Sequence, residues 1–108
     1  MTESWLKPWF LIADDQLRSL LEAELRKEVG PNHPLWGEVN RIVAKRDDQD
    51  DILVVFEDGE NGKVAEVHLT WSGKAEASEK VPRTVFYESL GDWRIRSMNP
   101  ANAEFLAS

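Results

Sequence analysis

A predicted strand with a histidine leads into a small turn at residues 65–74, AEVHLTWSGK, and this stretch carries side chains that can do chemistry. On an extended strand, alternate side chains point to the same face, so Glu66 and His68 project together, roughly 6–7 Å apart. That spacing suits a carboxylate that orients an imidazole as a base, or two ligands of a metal ion. The remaining candidates for a pocket centred on His68 are Ser72 and Lys74 in the turn and the distant His33.

The same stretch also has a purely structural interpretation. Ser72 lacks the glycine two positions earlier that a nucleophile elbow requires, and the Ser-Gly-Lys run lacks the flanking residues of a phosphate-binding loop. A third metal ligand would have to come from His33 or from the turn at residues 47–51, and nothing in the spacing requires this. We predict no metal site, no cofactor and no catalytic residue. We expect His68 to be structural, on a polar strand face opposite an apolar face that runs from Ala65 to Trp71. A small enzyme or small-molecule-binding protein with a pocket centred on His68 is the alternative.

The acidic charge of the chain is concentrated in residues 47–60. The net charge is −7, and this segment holds seven carboxylates and no lysine or arginine, while the rest balances 13 acidic against 13 basic side chains. Nucleic acids and anionic membrane surfaces attract the opposite charge, so we predict binding to neither. The DDQDD turn is not a calcium loop, because Ile52 and Leu53 occupy the fifth and sixth positions counted from Asp48, where an oxygen ligand and a glycine are required.

The acidic segment predicts instead a non-enzymatic module that binds another protein, by analogy with acidic inhibitors and immunity proteins. A confined acidic surface steers a basic partner through its long-range field, and tryptophans serve as interface anchors. The chain has five tryptophans. The predicted binding residues are Asp47, Asp48, Asp50, Asp51, Trp36 and Trp71.

The apolar residues 5–12 predict a second kind of contact. Trp5 and Trp9 are four residues apart, so an amphipathic turn can dock on the sheet or on a second copy of the chain, although Pro8 disfavours a regular helix. Homo-oligomer formation through this segment is therefore a further partner prediction. The apolar run is too short for a signal-peptide core or a membrane span, and we expect a cytoplasmic protein.

Length and composition predict one domain over residues 1–108. The chain has 108 residues, 42% of them hydrophobic, which suits one modest core. It has no cysteine, which excludes a disulfide framework, a thiolate zinc site and an iron–sulfur cluster.

Periodicity predicts the secondary structure. Apolar residues recur at helical spacing over residues 14–29, and a Gly-Pro pair stops that helix. Strand patterns follow at residues 38–46, 51–58, 63–71 and 83–88. Ser89 and Asn99 then introduce two short helices. We predict an α+β fold: an antiparallel meander sheet of three to four strands, packed by the N-terminal helix, with helices on one face. The nearly continuous apolar run of residues 51–58 is typical of a central strand covered on both faces.

Three phrases of the sequence resemble a group of small bacterial proteins in which a similar His-Leu-Thr-Trp-Ser-Gly run follows a hairpin. They are VHLTWSGK, HPLWG upstream and FYESLGDW downstream. The resemblance covers roughly residues 33–93. It implies a bacterial, cytoplasmic α+β domain, and it implies no activity, cofactor or site residue.

Overall fold

The structure, a computed structural model, describes residues 5–38, 40–56, 62–75 and 78–107. Within these ranges the strands are β1 (Trp9–Leu11), β2 (Asn40–Arg46), β3 (Asp51–Phe56), β4 (Val64–His68) and β5 (Arg83–Tyr87). The helices are α1 (Asp15–Glu28), α2 (Leu90–Trp93) and α3 (Asn99–Ala107), and a π-helical turn, Arg94–Met98, joins the last two.

The strands form one antiparallel sheet in the order β1-β2-β3-β4-β5. Neighbours in sequence are neighbours in the sheet because short connections return the chain beside itself. The predicted α+β class and antiparallel meander are confirmed, and the described residues form one strand more than the predicted maximum of four. The additional strand is β1, which pairs Trp9 with Arg46 of β2. Three residues that follow a proline are too short to show an alternation pattern, so this strand is not visible in the sequence.

Helix α1 covers one face of the sheet, as predicted. It begins where the side chain of Asp14 accepts a hydrogen bond from the backbone N–H of Gln16 at 2.9 Å, which satisfies one free donor of the first helical turn. Its buried Leu21 and Leu25 pack against the inward side chains of β3 and β4. We call this side of the sheet, which carries Val67, the α1 face.

The C-terminal helices cover the opposite face. Trp93 of α2 and Met98 of the π-helical turn pack with Leu53 of β3 and Val64 of β4 in a second buried cluster. We call this side of the sheet the Trp93 face. The expectation that the helices lie on one face is therefore wrong, because β3 buries alternate side chains on both faces and each face needs its own cover. The predicted two-sided burial of this strand is confirmed.

Strand alternation and register place four polar side chains in one row on the Trp93 face. Asp51 lies opposite His68, and His68 lies opposite Arg83. Arg46 is next to Asp51, because the preceding pair in the register is Lys45 with Ile52. The row of Arg46, Asp51, His68 and Arg83 therefore crosses the sheet from β2 to β5, at the end where the acidic turn joins β2 to β3.

Candidate functional site

Two buried glutamates of α1 hold the chain segment directly after β4. Glu28 accepts hydrogen bonds from the backbone N–H groups of Thr70 at 2.9 Å and Trp71 at 2.7 Å. Glu24 accepts one from the backbone N–H of Gly73 at 2.9 Å. Buried carboxylates need such partners, and backbone N–H groups outside a sheet need acceptors. The turn in the stretch AEVHLTWSGK is therefore held by α1, and its backbone rather than its side chains makes the contact.

The carboxyl groups of Glu24 and Glu28 are also hydrogen-bonded to each other. Burial is the main cause that raises the pKa of Glu28, and its hydrogen bond with Glu24 raises it further. The hydrogen bond from Glu28 is the main cause that lowers the pKa of Glu24, with a smaller effect from the Lys27 ammonium. The two groups therefore titrate as a pair in which Glu28 is protonated more readily than Glu24, because two adjacent buried charges of one sign repel each other.

Trp71 leaves the strand pattern at this point. Its backbone is in the left-handed region, at a φ of 59°, which is uncommon for a residue with a side chain and is maintained here by the hydrogen bond to Glu28. The indole is 42% exposed. The expectation that the apolar strand face extends from Ala65 to Trp71 is wrong, since β4 ends at His68 and Leu69 is the last buried residue of that run.

His68 is oriented by Asp51 of the neighbouring strand. Nδ1 of His68 lies 2.5 Å from Oδ1 of Asp51, whose side chain is only 5% exposed against 43% for that of His68. A carboxylate only accepts hydrogen bonds, so the shared hydrogen belongs to Nδ1, and Nε2 is the ring nitrogen remote from the pair. A buried carboxylate that holds an exposed imidazole by Nδ1 is the arrangement that fixes a histidine tautomer.

Glu66 points to the same face as His68 but has other partners. Its Oε1 accepts hydrogen bonds from Nε1 of Trp93 at 2.8 Å and from the hydroxyl of Ser97. The Tyr87 hydroxyl is near this cluster: burial is the main cause that raises the pKa of Tyr87, and the charge of Glu66 adds to the effect. Glu66 therefore ties β4 to the C-terminal helices, and Asp51 rather than Glu66 lies against the imidazole.

His33 is buried on the other face of the sheet. Its Nδ1 accepts a hydrogen bond from the backbone N–H of Leu35 at 3.0 Å, so Nε2 carries the hydrogen and donates it to the carbonyl oxygen of Pro82 at 2.8 Å. Thr84, whose hydroxyl lies 3.2 Å from Nε2, pairs with Val67 on the α1 face. His33 therefore connects the loop after α1 to the start of β5.

The five residues of the alternative pocket are not brought together. His68 and Glu66 share the Trp93 face but bind separate partners, and His33 lies behind the sheet on the α1 face. The hydroxyl of Ser72 donates to the backbone carbonyl oxygen of Lys74 at 3.0 Å, within its own turn. A His68-centred activity would therefore depend on the pair with Asp51 and not on the other four residues.

Replacing His68 with glutamine should lower the free energy of unfolding by about 1 kcal/mol, as expected for the loss of one partly exposed hydrogen bond. Urea unfolding followed by circular dichroism measures the change. Arg83→Gln is the matched control in the same row, and since Arg83 is exposed it should change stability by less than about 0.5 kcal/mol. Equal losses in the two variants would contradict a structural role for the Asp51–His68 pair.

The acidic turn between β2 and β3 contains both paired and unpaired carboxylates. Both oxygens of Asp48 accept hydrogen bonds from the Arg46 guanidinium at 2.9 Å, which lowers the pKa of Asp48 and raises that of Arg46. Asp51 is paired with His68. Asp47 and Asp50 are exposed, and among the described residues no donor reaches their carboxylates.

The turn also carries a cation of its own. Nζ of Lys45 donates to the backbone carbonyl oxygens of Arg46 at 2.8 Å and Gln49 at 2.9 Å, so its charge lies over the turn. The other three carboxylates of the predicted acidic segment, Glu57, Asp58 and Glu60, lie outside the described residues. Of the four predicted aspartates, Asp47 and Asp50 are the two that are exposed and without a donor among the described residues.

Asp47 borders a cleft of about 380 Å³ formed by the N-terminal segment and α3. The rest of its lining is Lys7, Pro8, Trp9, Phe10 and Phe105. The backbone N–H of Asp47 donates to the carbonyl oxygen of Pro8 at 2.8 Å, and the side-chain amide of Asn102 donates to that of Lys7 at 2.6 Å. These bonds fix the turn, the N-terminal segment and α3 against one another. We call this site the acidic-turn cleft.

The two tryptophans selected as anchors contact opposite flanks of α1. Trp36, which is 56% exposed, lines a second cleft with Glu22 and Arg26. The backbone of Trp71 contacts Glu28, which lies on the other side of the helix axis from those two residues. Trp36 and Trp71 therefore do not form one patch, and neither lines the acidic-turn cleft.

Glu24 and Glu28 are not among the predicted site residues, although the sequence carries a signal for them. They follow Leu21 by three and seven residues, on the apolar stripe of the helix, where a charged side chain needs a buried partner. The contribution of Phe105 to the acidic-turn cleft has no such local signal, because it depends on where α3 docks.

No family model, curated protein or solved structure matches this chain. Among the residues that the structure describes, no helix is long and apolar enough to cross a membrane, and no three His, Asp or Glu side chains group closely enough to hold a metal ion. The functional interpretation of the chain therefore comes from its own geometry: the acidic-turn cleft, the Asp51–His68 pair and the cleft beside Trp36.

Proposed function

We propose that this chain is a non-enzymatic module that binds a basic segment of another protein through the acidic-turn cleft. The observation that carries the proposal is the position of Asp47, whose carboxylate has no donor among the described residues and borders a cleft lined by Lys7, Pro8, Trp9, Phe10 and Phe105. Interfaces combine an apolar centre, which supplies most of the contact energy, with a charged rim, which orients the partner. An amphipathic basic segment fits this combination, with an apolar side chain in the cleft and a cation against Asp47.

The fixed geometry of the cleft supports this proposal. The hydrogen bonds from Asp47 to Pro8 and from Asn102 to Lys7 join its walls before any partner arrives. A surface that is already ordered loses less conformational entropy on association, so more of the contact energy is available as affinity.

The charge that faces a partner is smaller than the sequence suggests. Arg46 neutralises Asp48, and the ammonium groups of Lys45 over the turn and Lys7 in the cleft lining oppose the field of Asp47 and Asp50. The remaining carboxylates are exposed, so salt screens them over about 10 Å at 0.1 M ionic strength. Binding through them should therefore be fast at low salt and should weaken as salt is added.

Replacing both Asp47 and Asp50 with asparagine should weaken the binding of a cationic amphipathic peptide about tenfold at low salt, which corresponds to about 1.4 kcal/mol. Acetylated Lys-Leu-Lys-Leu-Lys amide is a suitable probe, since it offers alternating cations and apolar side chains. Calorimetric titration at low and high salt measures the affinity. Amide chemical shifts of Phe10 and Phe105, which line the cleft, report the place of binding.

The control is the double variant Glu79→Gln with Glu88→Gln. It removes the same number of exposed carboxylates beside the two ends of β5 and should change the affinity by less than about twofold. Equal weakening in both double variants would show that the peptide responds to net charge alone, and the proposal would then fail. Shift changes that avoid the acidic-turn cleft would also contradict it.

A reactive imidazole at His68 is the second candidate function, and the 2.5 Å contact with the buried Asp51 favours it. A carboxylate that accepts the Nδ1 hydrogen fixes the tautomer in which Nε2 is the free acceptor, the orientation that enzymes use for an imidazole base. Acylation of the histidines by diethyl pyrocarbonate, followed by mass spectrometry, tests this. His68 should react faster than the buried His33, and Asp51→Asn should slow it several-fold. A rate that does not respond to Asp51→Asn would contradict an activated imidazole.

A further inference from the structure

A second cleft, of about 330 Å³, lies between α1 and the loop that leads to β2. Its apolar lining comes from Leu25, Val29 and Leu35, which belong to the core on the α1 face. Trp36 lines the same cleft and keeps 56% of its surface exposed. We call it the Trp36 cleft. Its volume is at the lower end of the range for ligand pockets, about 300–1,000 Å³, which suits a single long side chain.

Hydrogen bonds within the loop order the backbone that carries Trp36. The backbone N–H of Trp36 donates to the carbonyl oxygen of His33 at 3.0 Å, and that of His33 donates to Gly30 at 3.0 Å. The buried ring of His33 is in turn bonded to Pro82 at 2.8 Å. The backbone that carries the indole is therefore ordered by hydrogen bonds. A large aromatic side chain that is exposed on an ordered loop is the form that interface anchors take.

The charged part of the lining consists of two carboxylates and one guanidinium. They belong to Glu22, Glu38 and Arg26, so the cleft has one negative charge in excess. The carboxylate of Glu22 accepts a hydrogen bond from the backbone N–H of Ile42 at 3.3 Å, which positions it beside β2. The cleft thus combines an aromatic face, an apolar floor and acceptors for a cation.

We propose that the Trp36 cleft binds an arginine side chain of a partner protein. The methylene stem of arginine packs on apolar surface while its head stays polar, which matches the floor formed by Leu25 and Leu35. The planar guanidinium stacks on an indole face and donates to a carboxylate at the same time, which matches Trp36 and Glu38. Lysine lacks the planar head and stacks less well, so arginine is the preferred occupant.

This inference rests on the proposed function in one respect, namely that the occupant belongs to a basic protein. The two sites are nevertheless separate in the molecule. The acidic-turn cleft lies at the Arg46 end of β2, whereas the Trp36 cleft includes Asn40 at the other end of that strand. Substitutions can therefore remove one site without touching the other.

The test compares two short peptides, acetyl-Gly-Leu-Arg-Leu-Gly amide and the same peptide with citrulline in place of arginine. Citrulline keeps the shape of the side chain and loses the charge. The arginine peptide should bind at least about fivefold more tightly, as expected for a charge-assisted hydrogen bond, and it should shift the indole N–H resonance of Trp36. Trp36→Ala should weaken binding of the arginine peptide about tenfold or more. Glu38→Gln should bring the affinity of the arginine peptide close to that of the citrulline peptide.

The Asp47→Asn, Asp50→Asn double variant separates the two proposals. If this double variant binds the arginine peptide normally while Trp36→Ala does not, the Trp36 cleft is the arginine site. That conclusion holds whether or not the acidic-turn cleft binds a basic segment. If the arginine peptide binds Trp36→Ala as well as the native chain, or if citrulline binds equally well, the inference is overturned. Loss of peptide binding only in the aspartate double variant would overturn the inference and leave the proposed function standing.

Discussion

Replacing Trp93 with alanine should lower the free energy of unfolding by about 3–5 kcal/mol, the range for truncation of a large buried aromatic side chain. Trp93 is fully buried and packs edge-on against Trp9, with ring centroids 4.9 Å apart, and it also contacts Trp5 at 5.8 Å. Its Nε1 donates to Glu66, so the truncation leaves both a cavity and a carboxylate without that donor. Urea unfolding followed by far-ultraviolet circular dichroism measures the loss.

The chain offers a matched control for this prediction. Trp36→Ala makes the same chemical change at an exposed position and should alter the free energy of unfolding by less than about 0.5 kcal/mol. Trp93→Phe keeps an aromatic ring in the core, so its loss in free energy of unfolding should lie between those of Trp93→Ala and Trp36→Ala. If Trp93→Ala cost no more than Trp36→Ala, the packing of α2 on the Trp93 face would be contradicted.

Replacing Glu28 with alanine should lower the free energy of unfolding by about 2–3 kcal/mol, because two backbone donors lose a buried acceptor. The loss should be localised. Amide hydrogen exchange of Thr70 and Trp71 should accelerate strongly, since both N–H groups lie outside the sheet and are protected by Glu28. Exchange in β3 should change only as much as the global stability does.

Glu22→Ala is the control on the same helix, with the same change in helix propensity. Its only backbone contact among the described residues is the 3.3 Å hydrogen bond from Ile42, so it should cost less than about 1 kcal/mol. Unchanged exchange rates at Thr70 and Trp71 in Glu28→Ala would show that the glutamates do not hold this segment.

Glu24 and Glu28 together predict how the free energy of unfolding depends on pH, with a defined sign. Glu28 has a raised pKa, so its stabilising contribution is complete below the ordinary glutamate value of 4.5 and is lost as pH rises through the raised pKa. Glu24 has a lowered pKa, so its contribution is present above 4.5 and is lost as pH falls through the lowered pKa. The contribution of the pair to the free energy of unfolding should therefore be greatest between the two pKa values, where the carboxyl groups hold one proton between them.

An amide-shift titration of Trp71 and Gly73 checks this window. Both resonances should move as pH rises above it, and the movement should be absent in Glu28→Gln, which has no carboxyl group to titrate at that position. A titration curve that is the same in the native chain and in Glu28→Gln would contradict the shared proton.

The secondary structure and fold class follow from local patterns in the sequence. Helix α1 follows from the spacing of Leu17, Leu21 and Leu25, and the glycine and proline after it end the helix. The meander follows from short polar turns between alternating runs, since such turns return a strand beside its predecessor. These signals act over a few residues, so they can be read without knowing the rest of the molecule.

The partners of the polar residues depend on contacts that the sequence pattern does not contain. Alternation correctly places Glu66 and His68 on one face, but the register decides that Asp51 lies opposite His68 and that Trp93 reaches Glu66. The four aspartates of the acidic turn look equivalent in sequence. Only the folded structure pairs Asp48 with Arg46 and Asp51 with His68. It leaves Asp47 exposed beside a cleft.

The sequence by itself therefore determined where α1 and strands β2 to β5 lie along the chain and that β3 is buried on both faces, whereas β1 has no pattern of its own. The tertiary structure decided that the C-terminal helices cover the second face, that Glu24 and Glu28 hold Thr70 to Gly73, and that Trp71 leaves its strand. The reason is physical. Periodic burial is set by the geometry of one chain segment, whereas a buried donor or charge is satisfied by whichever distant group the docking of two elements brings within hydrogen-bond distance.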